Sequence, residues 1–568
     1  MATTGNSGVG STMLRTFEVI RLKKAEIYSI YFFAAMYGLL QLSIPLGIQM
    51  IVNFIQAYTF STSLWVLIGL VLLGVLFSGA LQVTQMRIIE RVNQKIFSRY
   101  AIEFAYRIPR FDMKGVDDYY LPELVNRFFD TVSVQKGLGK LLIDIPMASI
   151  QILFGIILLS LYSQVFILFG IVLLLVLTLI IYFTSKRGIE TNEEESNYKY
   201  AVAGWLEEMA RTFKTFKFSI DANIHLKHSD KLVSKYLDAR TNHFKVLLSQ
   251  YWALIGFKLL ITGTMLIVGA ILAVNNQLNI GQFVAAEIVI IMIMASVEKF
   301  IYSLDTVYDL FTSVDKLNKV LDKPLETDGV IPFESGNKGV EVKVKDLSFS
   351  FGDKNNVLKN VSFHIPAGSK VCIMGHEGAG KSILLRILTG AYNDYSGSVL
   401  LNDIPINNYN LRSLHQHTGM ILNDQDIFNG TVLNNITLGN PDISLQNITK
   451  LAAITQFDQY VPKLKDGYNT ILDVAGNRLS KSASNKILLM RALIHQPHLL
   501  LFENPWSGLS KDSRSRIEEY ILNELVTTTV LVATNDVSFA VKCDQVIVMQ
   551  EGTVRAIGKA NEVLHFLN

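Results

Sequence analysis

At 568 residues the chain is long enough for several domains, and its mean hydropathy of +0.31 is high for a soluble protein. A net charge of +3 over that length points neither toward nor away from nucleic acid. Two cysteines, Cys372 and Cys543, are too few and too far apart for a disulfide framework or a cysteine metal site.

Residues 1–24 read as a polar cytoplasmic tail with no apolar stretch beside a basic start, so no cleaved signal peptide and no attached peptidase are expected. A membrane domain over 25–322 follows. Six segments of about 20 apolar residues, near 27–55, 63–85, 142–162, 165–184, 250–274 and 282–303, are each able to cross a hydrocarbon core of roughly 30 Å. Pro45 and Gly47 interrupt the first, which spanning helices tolerate.

The connections alternate. Residues 56–62, Ser163-Gln164 and 275–281 carry no charge, whereas about 86–141 and 185–249 are long, charged and helical in pattern. Arg87, Arg91, Lys95, Arg99, Arg107 and Arg110 cluster in the first long connection, which places it, with both termini, on the cytoplasmic side. The long connections extend the helices beyond the bilayer, with tips near Asp112–Leu121 and Arg211–Asp221. Three ionisable residues fall within spans: Asp144 and Lys258 read as snorkelling near the cytoplasmic boundary, and Glu287 is a candidate for lining a cavity.

A charged helix from Asp305 to Leu321 leads to a break at Lys323-Pro324 and a linker over 323–339. Alternating residues over 340–344, 347–351 and 361–365 predict strands at the start of a domain spanning 340–568. Helical and strand patterns then alternate to the end, which predicts an α/β fold on a largely parallel sheet. Within it, the apolar run Val371–Met374 precedes Gly375-His376-Glu377-Gly378-Ala379-Gly380-Lys381-Ser382, and a helical pattern follows. This is G-x-x-x-x-G-K-S in its strand–turn–helix context: glycines admit backbone N–H groups around a polyphosphate, Lys381 reaches the β- and γ-phosphates, and Ser382 can ligate Mg²⁺. The motif predicts binding of a nucleoside triphosphate.

Six spans with long cytoplasmic extensions, followed by one such domain, resemble an ATP-binding cassette (ABC) exporter half-transporter along nearly the whole chain. The fold class is thus an all-α six-helix transmembrane domain followed by an α/β P-loop cassette domain. The resemblance implies ATP and Mg²⁺ as cofactors, and it places further residues. Phe351 stands where the family has an adenine-stacking aromatic, usually tyrosine; phenylalanine keeps the π face, so the resemblance implies that stacking is retained, with a strand phenylalanine packed in the core as the alternative. Asn423 takes the place of the Q-loop glutamine, with the same amide on a shorter stem, and Gln425 could substitute only by slippage. Leu479-Ser480-Lys481-Ser482-Ala483 replaces the signature Leu-Ser-Gly-Gly-Gln, so side chains stand where the family needs close backbone approach to a partner's γ-phosphate. Lys481 could instead offer that phosphate a cation.

Leu499–Asn504 matches the Walker B strand. Glu503 takes the place of the Mg²⁺-orienting aspartate and Asn504 that of the catalytic glutamate; the alternative register makes Glu503 the base and Phe502 the metal position. Asn535 replaces the switch histidine. Ser382, Asn423 and Glu503 are the implied metal set, and Glu503, Asn504 and Asn535 the degenerate catalytic positions. A neutral amide cannot take a proton from water, so weak or absent intrinsic ATPase follows.

The implied partners are a second half-transporter (an identical copy or a more competent chain), the lipid bilayer and an unknown exported substrate; no nucleic acid is expected. The implied location is multi-pass in the plasma (inner) membrane, with the cassette cytoplasmic. A second reading is a nucleotide-sensing, hydrolysis-deficient regulatory membrane subunit, suggested by an intact phosphate loop beside a missing base.

Overall fold

The computed structural model describes residues 24–57, 62–117, 119–218, 223–275, 277–334, 339–352, 355–423, 425–473, 476 and 478–567. Apart from Lys24 the expected polar tail lies outside the described residues, as do Asp424 of the Q-loop segment and parts of the second loop tip and the linker. The chain forms two compact units, one from the described residues of 1–109 and 118–323, the other from 110–117 and 324–568.

Among the described residues, Glu26–Gln56, Thr62–Arg110, Leu121–Tyr162, Val165–Arg211, Asn223–Val274 and Ile280–Leu321 are six helical stretches long and apolar enough to cross a membrane, all within the first unit but for Arg110. Each expected span falls inside one of them. Helices suit this composition because every backbone group is satisfied within the segment. The first stretch divides at Leu42, which puts Pro45 in the first turn of Ser43–Gln56, where a missing N–H costs nothing. Gly47 marks a close helix crossing, since a Cβ there would stand 2.2 Å from Val71 Cγ2.

Val165–Arg211 has 47 residues. At about 1.5 Å per residue it is roughly 70 Å long, more than twice a hydrocarbon core. The final helix starts at a capping box: Gln282 N–H donates to Asn279 Oδ1 at 2.7 Å, and Asn279 N–H donates to Gln282 Oε1 at 3.0 Å. It runs unbroken from Ile280 to Leu321, so the charged stretch expected from Asp305 continues the last span rather than forming a separate helix.

Ion pairs account for two of the three charges inside spans. Asp144 bridges Lys140 at 2.9 Å and Lys299 at 2.8 Å, and Lys258, half-exposed, reaches Glu298 at 3.5 Å. Glu287 keeps its Oε2 buried with no hydrogen-bond partner among the described residues.

The second unit contains strands β1 (Val342–Phe351), β2 (Asn355–Ile365), β3 (Lys370–Met374), β4 (Ser396–Leu401), β5 (Ile404–Pro405), β6 (Thr418–Ile421), β7 (Gly430–Thr431), β8 (Ile471–Leu472), β9 (Leu499–Glu503), β10 (Thr529–Ala533), β11 (Gln545–Gln550) and β12 (Thr553–Gly558). The first two expected strands are one: β1 continues through irregular register between Val344 and Leu347, and Asp346 takes a φ of +51° there. β1 pairs antiparallel with β2 and β4 in a four-stranded sheet ordered β2-β1-β4-β5.

The six-stranded sheet runs β12-β11-β3-β10-β9-β6, parallel except for β12. Its central strands are buried on both faces: Val371, Ile373, Leu499 and Leu501 enter one apolar core, and Cys372, Met374, Leu500 and Phe502 enter the other. Residues 324–334 of the linker belong to this unit, with a parallel bridge from Ile331 to Tyr409 and Asp328 Oδ1 accepting the Leu411 N–H at 2.7 Å.

Candidate nucleotide-binding site

Strand register assembles the site. Ala533 of β10 stands opposite both Ile373 of β3 and Glu503 of β9, and Ile421 of β6 stands opposite Phe502. Residues just beyond the carboxyl ends of these four parallel strands therefore lie side by side, where α/β sheets hold their ligands.

β3 leads into the loop 375–380 and the helix Lys381–Leu388. Gly375 and Gly380 carry φ values of +153° and +92°. A Cβ would stand 2.3 Å from the Met549 carbonyl oxygen at Gly375 and 2.6 Å from Leu358 Cδ2 at Gly380, so both space and backbone conformation demand glycine. Lys381 Nζ arches over the loop and donates to the carbonyls of Gly375 at 2.6 Å and His376 at 2.9 Å. Burial pushes the Lys381 amine below its usual range, opposed by the carboxylates of Glu503 and Glu377.

Glu503, only 6% exposed, is the hub. Its Oε1 accepts from Ser382 Oγ and, at 2.6 Å, from Asn423 Nδ2; its Oε2 accepts from the Asn423 N–H at 3.3 Å. Phe502, one residue earlier, is wholly buried in the core. Asn535 Oδ1 accepts the Gly375 N–H at 3.0 Å. Gly375, Lys381, Ser382, Asn423, Glu503 and Asn535 thus form one cluster, with Gly378 and Ala379 in the same loop. A Cβ built on Gly378 would meet nothing within 4 Å, which leaves room for a phosphate to approach the backbone. Hydroxyl, carboxylate and amide at Ser382, Glu503 and Asn423 are an oxygen-bearing set suited to a hard divalent cation. The residues present fit both groups.

Asn504 follows the hub directly; it is exposed, has a φ of +43°, and donates its N–H to the Ala533 carbonyl at 3.0 Å. Among the described residues, no hydrogen bond joins Phe351 or Leu479–Ala483 to the cluster. Ser480 caps the helix Lys481–Leu493 by accepting the Ala483 N–H at 3.2 Å, and Lys481 is exposed. Gln425 donates its N–H to the Leu422 carbonyl, and its Oε1 is buried without a partner among the described residues.

Asn485 was not singled out by any motif, yet its Nδ2 donates to the carbonyls of Pro505 and Ser507, both at 2.8 Å, and so ties the helix after Ser480 to the loop after β9. A polar residue one turn past a cap is the only sequence signal it gives. Trp506, in that loop, packs against Phe539 at 5.3 Å and under the Arg514 guanidinium at 5.5 Å.

Six apolar helices ahead of a P-loop α/β unit define an integral, multi-pass membrane protein with a nucleotide-binding domain. Residues 27–297 match the ABC transporter transmembrane region, and residues 358–507 match the ABC transporter domain. The chain belongs to the ABC transporter family, in the half-transporter arrangement of one membrane region followed by one nucleotide-binding domain.

Among its relatives is the alpha-hemolysin translocation ATP-binding protein HlyB of Escherichia coli O157:H7, 26% identical over 52% of this chain and 42% of HlyB. The mitochondrial iron-sulfur clusters transporter atm1 of Aspergillus fumigatus is 31% identical over 40% of this chain and 32% of atm1. The chain spans about half or less of the length of the curated relatives it matches. A bacterial Atm1-family ABC exporter solved with ATP bound has the same fold, with a TM-score of 0.84 at 18% identity over 96% of this chain and 97% of that one.

Proposed function

We propose that the chain is an ATP-binding half-transporter of the exporter type, which couples ATP binding to movement of a substrate across a membrane. The observation that carries this is the convergence of Ser382 and Asn423 on the Glu503 carboxylate beside the Lys381 loop. Lys381 and the amides of 375–380 would hold the β- and γ-phosphates, and Ser382, Asn423 and Glu503 would hold Mg²⁺. The cation would neutralise negative charge on the phosphate groups.

Asn504 supplies an amide where a general base is needed, and Asn535 holds the Gly375 N–H without any capacity for positive charge. Binding therefore outlasts turnover in this site, and the work is drawn from ATP's preference for one conformational state. The reading includes a second cassette, from an identical or a more competent chain, because Leu479–Ala483 lies outside the cluster it would serve by family resemblance. It also places the cassette and both termini on the cytoplasmic side of the inner membrane. The comparisons support the exporter side of this reading; the sensing-subunit alternative gains nothing from them.

The test uses the full chain in lipid nanodiscs, alone and with co-expressed candidate partners. MgATP binds the unaltered chain, Lys381→Ala weakens that binding by about tenfold or more (at least one charge-assisted contact), and phosphate release stays near background without a partner. No measurable affinity for MgATP in the unaltered chain would refute the proposal.

A further inference from the structure

Away from the phosphate cluster, three aromatic rings close on one another. Phe349 and Phe351 meet edge-on with centroids 5.0 Å apart, Phe351 and Tyr392 edge-on at 5.9 Å, and Phe349 and Tyr392 tilted at 5.1 Å. Phe349 and Tyr392 are buried at 2% and 1% exposure, whereas Phe351 keeps 36%. The triad therefore has core behind it and one ring in front.

A phenylalanine would fill the same space as Tyr392. The hydroxyl does something else: it leaves the triad and donates to Asp117 Oδ2 at 2.9 Å. Burial, then the Asp117 carboxylate, pushes this hydroxyl up to about 12, with Arg386 beside it pulling the other way, so it keeps its proton at neutral pH.

Asp117 ends the segment 110–117, which lies in sequence between the second and third apolar stretches yet folds into the second unit. The segment is also held elsewhere: Met113 packs against the apolar core, and residues 110–112 pair with the chain at 324–326. Phe111 forms an antiparallel bridge with Leu325, the Asp112 N–H donates to the Pro324 carbonyl at 2.9 Å, and the Glu326 N–H donates to the Arg110 carbonyl at 2.8 Å. Lys114 pairs with Asp394, two residues beyond Tyr392. The loop that carries Tyr392 thus holds the segment at two points.

We propose that Tyr392 is a positioning residue that couples stacking of the nucleotide base on Phe351 to the hold on segment 110–117, so that this segment reads the base and not the phosphates. The proposal rests on the nucleotide reading given above. A base laid on the exposed face of Phe351 fixes that ring. Edge-on packing passes the constraint to the Tyr392 ring, whose orientation sets the hydroxyl's direction toward Asp117. Linkage makes the effect mutual: what the base adds to the segment's hold, the segment returns as affinity for the base.

The test is hydrogen exchange on the full chain in nanodiscs, with MgATP or with magnesium tripolyphosphate, which offers phosphates but no base. MgATP slows exchange at the hydrogen-bonded amides of Asp112, Gly115 and Asp117 by about fivefold or more, whereas tripolyphosphate slows it at 375–382 only. Tyr392→Phe, which keeps the ring, abolishes the ATP effect at 110–117 and leaves it intact at 375–382. Asp117→Ala does the same, the double variant adds nothing, and Asp117→Asn, which retains an acceptor oxygen, preserves the effect. Equal protection of 110–117 by ATP and tripolyphosphate, or undiminished ATP protection in Tyr392→Phe, would overturn the coupling while leaving nucleotide binding in place. Loss of ATP protection at 375–382 in the unaltered chain would overturn the nucleotide reading and this proposal with it.

Discussion

Replacing Asn504 with glutamate asks whether a missing base is what keeps this site slow. Asn504 is exposed, so a longer side chain needs no repacking, and its N–H bond to Ala533 is made by the backbone whatever the side chain. The cost lies in its φ of +43°, which asparagine adopts more readily than glutamate; the left-handed region costs an ordinary residue about 1–2 kcal/mol. Against this, a positioned general base is worth roughly 10²–10⁴ in rate, or about 3–5 kcal/mol of barrier. Asn504→Glu should therefore melt slightly lower than the unaltered chain, bind MgATP within about threefold of it, and release phosphate about 100-fold faster. Adding Asn535→His to the same variant raises the rate further. The assay is phosphate release from the full chain in nanodiscs, alone and with a co-expressed partner cassette, beside a binding titration on the same preparations. If both variants fold and bind ATP but neither gains turnover, the assignment of Asn504 to the base position is wrong.

Two further outcomes follow from charges around the site. Burial lowers the Lys381 amine and Glu503 supports it, so Glu503→Gln shifts that amine further down, and the alkaline loss of MgATP affinity in a pH titration begins at lower pH than in the unaltered chain. Asp536 is held down to about 2, chiefly by its bond from the Arg514 guanidinium, against some burial. A depressed carboxyl stabilises the fold above its unfolded value of about 3.9 and loses that contribution as pH falls toward 2. Arg514→Gln should then lower the melting temperature at pH 7, with the gap to the unaltered chain narrowing below about pH 4; a constant gap down to the lowest pH that keeps the chain soluble would count against it.

What the sequence made legible was local or repetitive. Six long apolar runs announce helices because lipid leaves the backbone no other partner, and Gly375 to Ser382 announces its turn because the glycines and the lysine are adjacent in sequence. Contacts between distant segments were not legible. Asn423 and Glu503 are 80 residues apart, and only parallel pairing of β6 with β9 brings the amide to the carboxylate. Tyr392 and Asp117 are 275 residues apart, in a loop and a short turn with no periodicity to mark them. The β1 sequence resembles two strands because Asp346 and its neighbours break the alternation, whereas the fold absorbs them as a bulge. The charged stretch after Leu304 looked like a new element because composition changes there, but helical hydrogen bonding takes no account of composition.

The unbroken final helix leaves the first unit a lever with no joint. Over 42 residues it spans about 63 Å at the usual rise, and it holds neither a proline nor a π-type turn at which to bend. A tilt imposed near its Asn279 cap is carried toward Lys323, less what gentle bending and the hydroxyl back-bonds of Ser296 and Ser303 absorb.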